Sequence, residues 1–116
     1  MANHSLNVGD PLYKYSFHSA GYFQCEQFVI EDIVDGKLKC RPVAGRSKMF
    51  MDSKDVDERI FHVSRVKGVI LSEKDKARAC EMLIDYLEKK MREYLAKLDG
   101  YSNLYDLIKK EREMIG

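Results

Sequence analysis

The sequence predicts an α+β fold: a small five-stranded β-barrel, then a long α-helix, then a shorter C-terminal helix. Three observations carry this. Residues 11 to about 70 break into short runs with apolar side chains at every second position, the period of a strand with one covered face. Asp35-Gly36 sits between two such runs, and a two-residue hairpin turn needs the positive φ that Asp tolerates and Gly adopts freely. From residue 72 the apolar period changes to three and four, that of an amphipathic helix. The chain reads as a single domain, 1–116, with a barrel at 11–70 and a helical arm at 72–115.

In the first strand, "PLYKYSF", Tyr13, Tyr15 and Phe17 share one face. "HSAG" is a turn. "FQCEQFVIEDIV" is a longer strand whose alternation slips between Ile30 and Ile33, which predicts a bend or bulge. "KLKCRPV" returns after the hairpin. Pro42 cannot donate to a ladder and belongs at its edge or end. "AGRS" turns the chain into a short fourth strand, "KMFM". "DSKDVDE" has the look of one tight helical turn, and "RIFHVSRV" is the fifth strand.

Ser72 is placed to cap the long helix, with Glu73 and Asp75 favourable in its first turn. Ala77, Cys80, Ile84, Leu87, Met91, Tyr94 and Leu98 form a heptad-like stripe. Asp85 with Lys89, Glu88 with Arg92 and Glu93 with Lys97 are i,i+4 pairs of favoured order. Asp99-Gly100 ends this helix, and Ser102 caps a second with Leu104, Leu107, Ile108 and Ile115 on its apolar side.

This arrangement, with one long bent strand and a helical turn before the last strand, resembles an SH3-like barrel. The opening "LNVGDPLYKY", the small barrel and a helix starting near "ILSEKDKA" also resemble small uncharacterised proteins of bacteria and their phages. That resemblance implies no activity. A phage or mobile-element inhibitor of a host enzyme fits this size and class, although no residue points to one.

The formal charge of +1, with 34% charged residues, gives no long-range field to collect nucleic acid or anionic lipid. Neither a membrane-spanning run nor a signal peptide is expected. Cys25, Cys40 and Cys80 are odd in number and widely spaced, which points to a reducing, cytoplasmic setting.

Lys37, Lys39, Arg41, Arg46 and Lys48 lie in one stretch without an acidic residue. On a strand the first three point one way, as phosphates along a nucleic-acid backbone would require. Tyr13, Tyr15 and Tyr22 are the candidates for base stacking. The competing reading is a solvated face that pairs with Glu26, Glu31, Asp52 or Asp55. Met49 and Met51 flank Phe50 on a short strand; facing outward together they would make an adaptable protein-binding surface, while core filling is the commoner use of such methionines. Cys25, Cys40, His18 and His62 are ligand types without the tight spacing of a zinc site, so no metal or cofactor is expected. No nucleophile elbow, phosphate loop or metalloprotease helix is present, so the expected function is non-catalytic binding of a protein partner. The alternative is nucleic-acid binding by the basic strand face.

A helix over residues 72–98 is about 40 Å long, and a 60-residue barrel about 27 Å across. The stripe therefore exceeds what the barrel covers. It is either an intramolecular core or the seam of a homodimer.

Overall fold

The computed structural model describes residues 5–18 and 22–115. The chain divides into two units, Met1–Leu83 and Ile84–Gly116. The first holds β1 (Pro11–His18), β2 (Tyr22–Val34), β3 (Lys37–Pro42), β4 (Met49–Asp52), a 3-10 turn (Ser53–Asp55), β5 (Ile60–Val63) and β6 (Val66–Leu71). It also holds the first turns of α1 (Lys76–Ile115). The strands form one antiparallel sheet, order β4-β3-β2-β1-β6-β5, curled into a half-barrel.

The sheet has six strands, not the expected five, because "RIFHVSRV" does not run straight. Ser64 takes a positive φ of 56° and folds the segment into a β5–β6 hairpin. The barrel does not close: among the described residues β4 pairs only with β3, and β5 only with β6. The predicted turn at residues 19–21 lies outside the described residues.

Asp35 and Gly36 have φ of 52° and 73°, as the hairpin signal requires. The register of β2 against β3 slips between Ile30 and Asp32, at the expected bulge. The extra residue brings Ile33, three places after Ile30, back to the face of Phe28 and Ile30, where it packs on the core. Pro42 is the last residue of β3.

Both faces of the sheet are covered. Leu12, Phe28, Ile30, Leu38, Cys40, Val56 and Ile70 fill the curl. On the other face Tyr15, Val69 and Leu71 pack with Ala79 and Leu83 of α1, flanked by Tyr13, Phe17 and Met82. Alternation along β1 and β6 produces this division: Leu12 and Ile70 go inward, while Tyr15, Val69 and Leu71 go to the helix side. Each fully buried large apolar side chain contributes about 1.5–3 kcal/mol relative to leaving it in water.

One polar cluster fixes where α1 starts. Asp57 is buried, at a positive φ of 64°. The backbone N–H of Ser72 donates to its Oδ1 (3.1 Å) and the Ser72 hydroxyl to its Oδ2 (2.7 Å). Arg78 donates from Nη1 to Oδ1 (3.3 Å) and from Nη2 to the Asp57 carbonyl (3.2 Å). The Asp57 N–H donates to the carbonyl of Ile70 at 2.8 Å. Ser72 is thus spent on Asp57 and does not cap the helix. Asp75 does: its Oδ1 accepts from the Arg78 N–H at 3.1 Å.

The phase of the predicted stripe is wrong over the sheet. Ala79 and Leu83 are buried, whereas Ala77 is exposed and Cys80 half-buried. Residues 76–83 carry apolar side chains around most of the helix, so periodicity alone does not choose the face.

The second unit is helical from Ile84 onward, and α1 runs unbroken through Asp99 and Gly100 to Ile115. No second helix begins at Ser102. A helical Gly costs about 1 kcal/mol relative to Ala, and the Leu, Lys, Glu and Arg around it are good helix formers. Ile84, Leu87, Met91, Tyr94 and Leu98 are exposed, so the core reading of that part of the stripe fails.

Removing the buried carboxylate with Asp57→Ala leaves the Ser72 donors and Arg78 unsatisfied. The expected loss in urea unfolding is about 3–5 kcal/mol, with less for Asp57→Asn, which keeps an acceptor. High pH gives a second test. Burial pushes the Cys40 thiol from 9.0 up to about 11. Burial foremost, then the neighbouring Cys25 thiol, pushes the Tyr15 phenol from 10.0 up to about 12. Both groups then hold their protons longer folded than unfolded, so stability falls as pH rises from about 9 towards 12. The Tyr15 hydroxyl is buried without a formed hydrogen bond, so Tyr15→Phe should blunt this alkaline loss without lowering stability at neutral pH.

Candidate functional site

Because the sheet stops half-way round, its two edge strands flank a groove of about 360 Å³. β4 contributes Met49, Phe50 and Met51, and β5 contributes Ile60, Phe61 and Val63. Lys14 of β1 and Ile70 of β6 also line it, with Asp55 and Arg59 from the connection between β4 and β5.

The lining is mostly apolar with a few charges. Lys14 Nζ stands 5.1 Å from the centre of the Phe61 ring, a cation–π contact. Arg59 Nε approaches Asp55 Oδ1 at 3.3 Å. The Phe61 ring lies over Gly68, its cross-strand partner, in space that a Cβ on residue 68 would take. Met49 and Met51 oppose Cys40 and Leu38 and lean onto the core. This is the core-filling reading of the two methionines and not the outward-facing one; Phe50 alone faces outward, and it is 71% exposed. The thioethers therefore form the wall and the phenyl ring the rim.

The outer edges of β4 and β5 are bordered by no further strand among the described residues. Such an edge presents backbone donors and acceptors in strand spacing. The groove thus offers two modes of contact: backbone pairing along an edge, and apolar seats at alternate positions.

The basic row is elsewhere. Lys37, Lys39 and Arg41 alternate with buried Leu38, Cys40 and Pro42 along β3, as predicted. Lys37 Nζ is 2.7 Å from Asp52 Oδ1 across the β3–β4 pair. That hydrogen bond raises the Lys37 pKa and lowers that of Asp52. Lys48 Nζ is 3.2 Å from Glu31 Oε1. Lys39 stands between Asp32 and Phe50 in the ladders, and Arg46 is exposed in the loop before β4. None of the five lines the groove.

The stacking candidates do not join this row. Tyr15 is buried and Tyr13 packs under α1. Tyr22 is exposed but stacks on His18 at 5.3 Å, seven residues along β2 from the partner of Arg41, or about 23 Å. Cys25 is exposed. Among the described residues no three His, Cys, Asp or Glu side chains are grouped to hold a metal ion, and no helix is long and apolar enough to cross a membrane.

Of the groove's lining, Met49, Phe50 and Met51 stand out in the sequence, while Lys14, Arg59 and Phe61 do not, since only the curl of the sheet brings them together. A lone Gly in an apolar strand, Gly68, was the available signal of a close aromatic neighbour.

No protein-family model, curated protein or solved structure matches the chain.

Gly68→Ala should force the Phe61 ring off its seat. The expected cost is about 1–3 kcal/mol in thermal or urea unfolding. Phe61→Ala in the same background should recover only the ring's share, since the added Cβ also meets the backbone carbonyl oxygen of Tyr15.

Proposed function

We propose that this chain is a non-catalytic protein-binding module that receives an extended segment of a protein partner in the groove between β4 and β5. The carrying observation is the coincidence of two unpaired strand edges with a lining of Met49, Met51, Phe50 and Phe61. A strand added to such an edge gains backbone hydrogen bonds, and its alternate side chains reach the apolar wall. Thioethers adapt to varied shapes at little cost. Arg59 is answered by Asp55 and Lys14 lies against the Phe61 ring, so the lining recognises its partner mainly through apolar contact.

The fold reading carried with this proposal is an SH3-like barrel left open. The meander from β1 to β4, the 3-10 turn, and the return of β6 to β1 support it, with β5 as an added edge. The three cysteines are free thiols, which supports a reducing, cytoplasmic setting. Nucleic-acid binding by the basic strand is the weaker reading, because Lys37 and Lys48 already answer Asp52 and Glu31.

The test is affinity selection from a displayed library of random peptides, with Phe50→Asp as the matched control. This rim substitution leaves the core untouched. The expected result is enrichment of extended peptides with apolar residues at alternate positions, bound at least about tenfold more weakly by the variant and little affected by salt. No enrichment, or equal binding to the variant, would remove the proposal. Oligonucleotide binding that falls steeply with salt and is lost on reversing Lys39 and Arg41 would replace it with the nucleic-acid reading.

A further inference from the structure

The second unit is a helix whose exposed apolar residues repeat in heptads. With Ile84 counted as position a, Met91, Leu98 and Tyr105 also fall at a, and Leu87, Tyr94 and Ile108 at d. All are between 40% and 65% exposed. The pattern passes through Asp99 and Gly100 without changing phase, because the helix does.

The flanking charges select what covers this stripe. Glu88 and Lys109 occupy position e, and Lys90, Lys97 and Glu111 position g. When two helices pair antiparallel, a residues meet d residues, and e meets e and g meets g across the seam. In the register centred between Asp99 and Gly100, Met91 meets Ile108 of a second copy and Tyr94 meets its Tyr105, while towards the ends Leu87 meets Arg112, the one charged residue at an a position. In that register Glu88 faces Lys109 and Lys90 faces Glu111. The twofold axis repeats both contacts, and every charged pair is opposite in sign. Sliding one heptad one way sets Lys97 against Lys97; sliding it the other way sets Lys97 against Glu111 but drops residues 84–90 from the overlap. A parallel pair in register sets Lys90 against Leu95, Lys97 against Ser102 and Leu104 against Lys109, with no opposite pair. The overlap in the matched register also starts at Ile84, one residue after Leu83, the last buried residue of α1.

We propose that the chain forms a homodimer through an antiparallel coiled coil of residues 84–115, centred on Asp99 and Gly100. The apolar stripe supplies the affinity, the e and g charges set direction, and charge together with the length of overlap sets register. A single chain folded back at Asp99-Gly100 would make the same contacts internally, but the unbroken helix there opposes it. This inference does not depend on the groove between β4 and β5.

Sedimentation of the full-length protein over a concentration series tests it. The expected mass is twice the 13.5 kDa of one chain. Leu98→Asp should weaken association by roughly a hundredfold or more while the sheet keeps its thermal transition, since Leu98 touches neither core. Glu88→Lys should weaken it about tenfold by replacing two attractions with repulsions, and Glu88→Lys with Lys109→Glu should restore it to within about threefold. Glu88 is chosen over Lys90 because Lys90 also pairs with Glu93 on its own helix at 3.3 Å. A single-chain mass at every concentration would overturn the proposal. So would a dimer indifferent to Leu98→Asp, or one that the charge swap fails to rescue.

Discussion

The Asp57 carboxylate is the constraint on which the first unit's geometry turns. Covering the second face of a curled sheet requires α1 to begin at one place and at one angle. Apolar contacts between Ala79, Leu83 and the sheet do not define this, since they are non-directional. Four hydrogen bonds to Asp57, two from Ser72 and two from Arg78, do. They tie the loop after the 3-10 turn to the end of β6 and the first turn of α1. A buried carboxylate is costly to desolvate, and its value here is in specifying one arrangement as much as in net stability.

The parts of the fold that were legible in the sequence are those set by neighbours in the chain. Asp35-Gly36 demanded positive φ, and it has it. The slip of alternation after Ile30 could be absorbed only by an extra residue, and the bulge is there. The parts that were not legible depend on contacts distant in sequence. Ser72 looks like a cap in isolation, but Asp57, fifteen residues earlier, takes its hydroxyl and leaves the cap to Asp75. Asp99-Gly100 looks like a helix end, yet a stop signal competes with propensity on both sides and lost here. The same division holds at the groove. The Met49–Met51 triplet stands out along the chain, while Lys14 and Arg59 reach it only through the curl of the sheet.

The basic stretch on β3 illustrates how local charge can mislead. Five cations in a row look like an anion-binding face until their neighbours across the ladder are known. Asp52 comes from the next strand and Glu31 from the preceding one, so pairing neutralises charge that the linear sequence shows as concentrated. These pairs are exposed and contribute little stability. Their effect is to answer two of the five cations, so the face carries less net charge than the linear stretch shows.

The place of β1 in the middle of the sheet bears on the order of assembly. β1 pairs early with β2, its neighbour in sequence, but its other edge must wait for β6, where Tyr13 meets Leu71 roughly 60 positions later. During synthesis the strands β1 to β4 can form a meander while one side of β1 stays open to solvent. Only when residue 71 emerges can that edge close, and only then does Tyr15 acquire Val69 and Leu71 beside it. Closure of this long loop is the step that topology expects to be slow, and the edge left open to mispairing on the nascent chain is one that ends up inside the sheet.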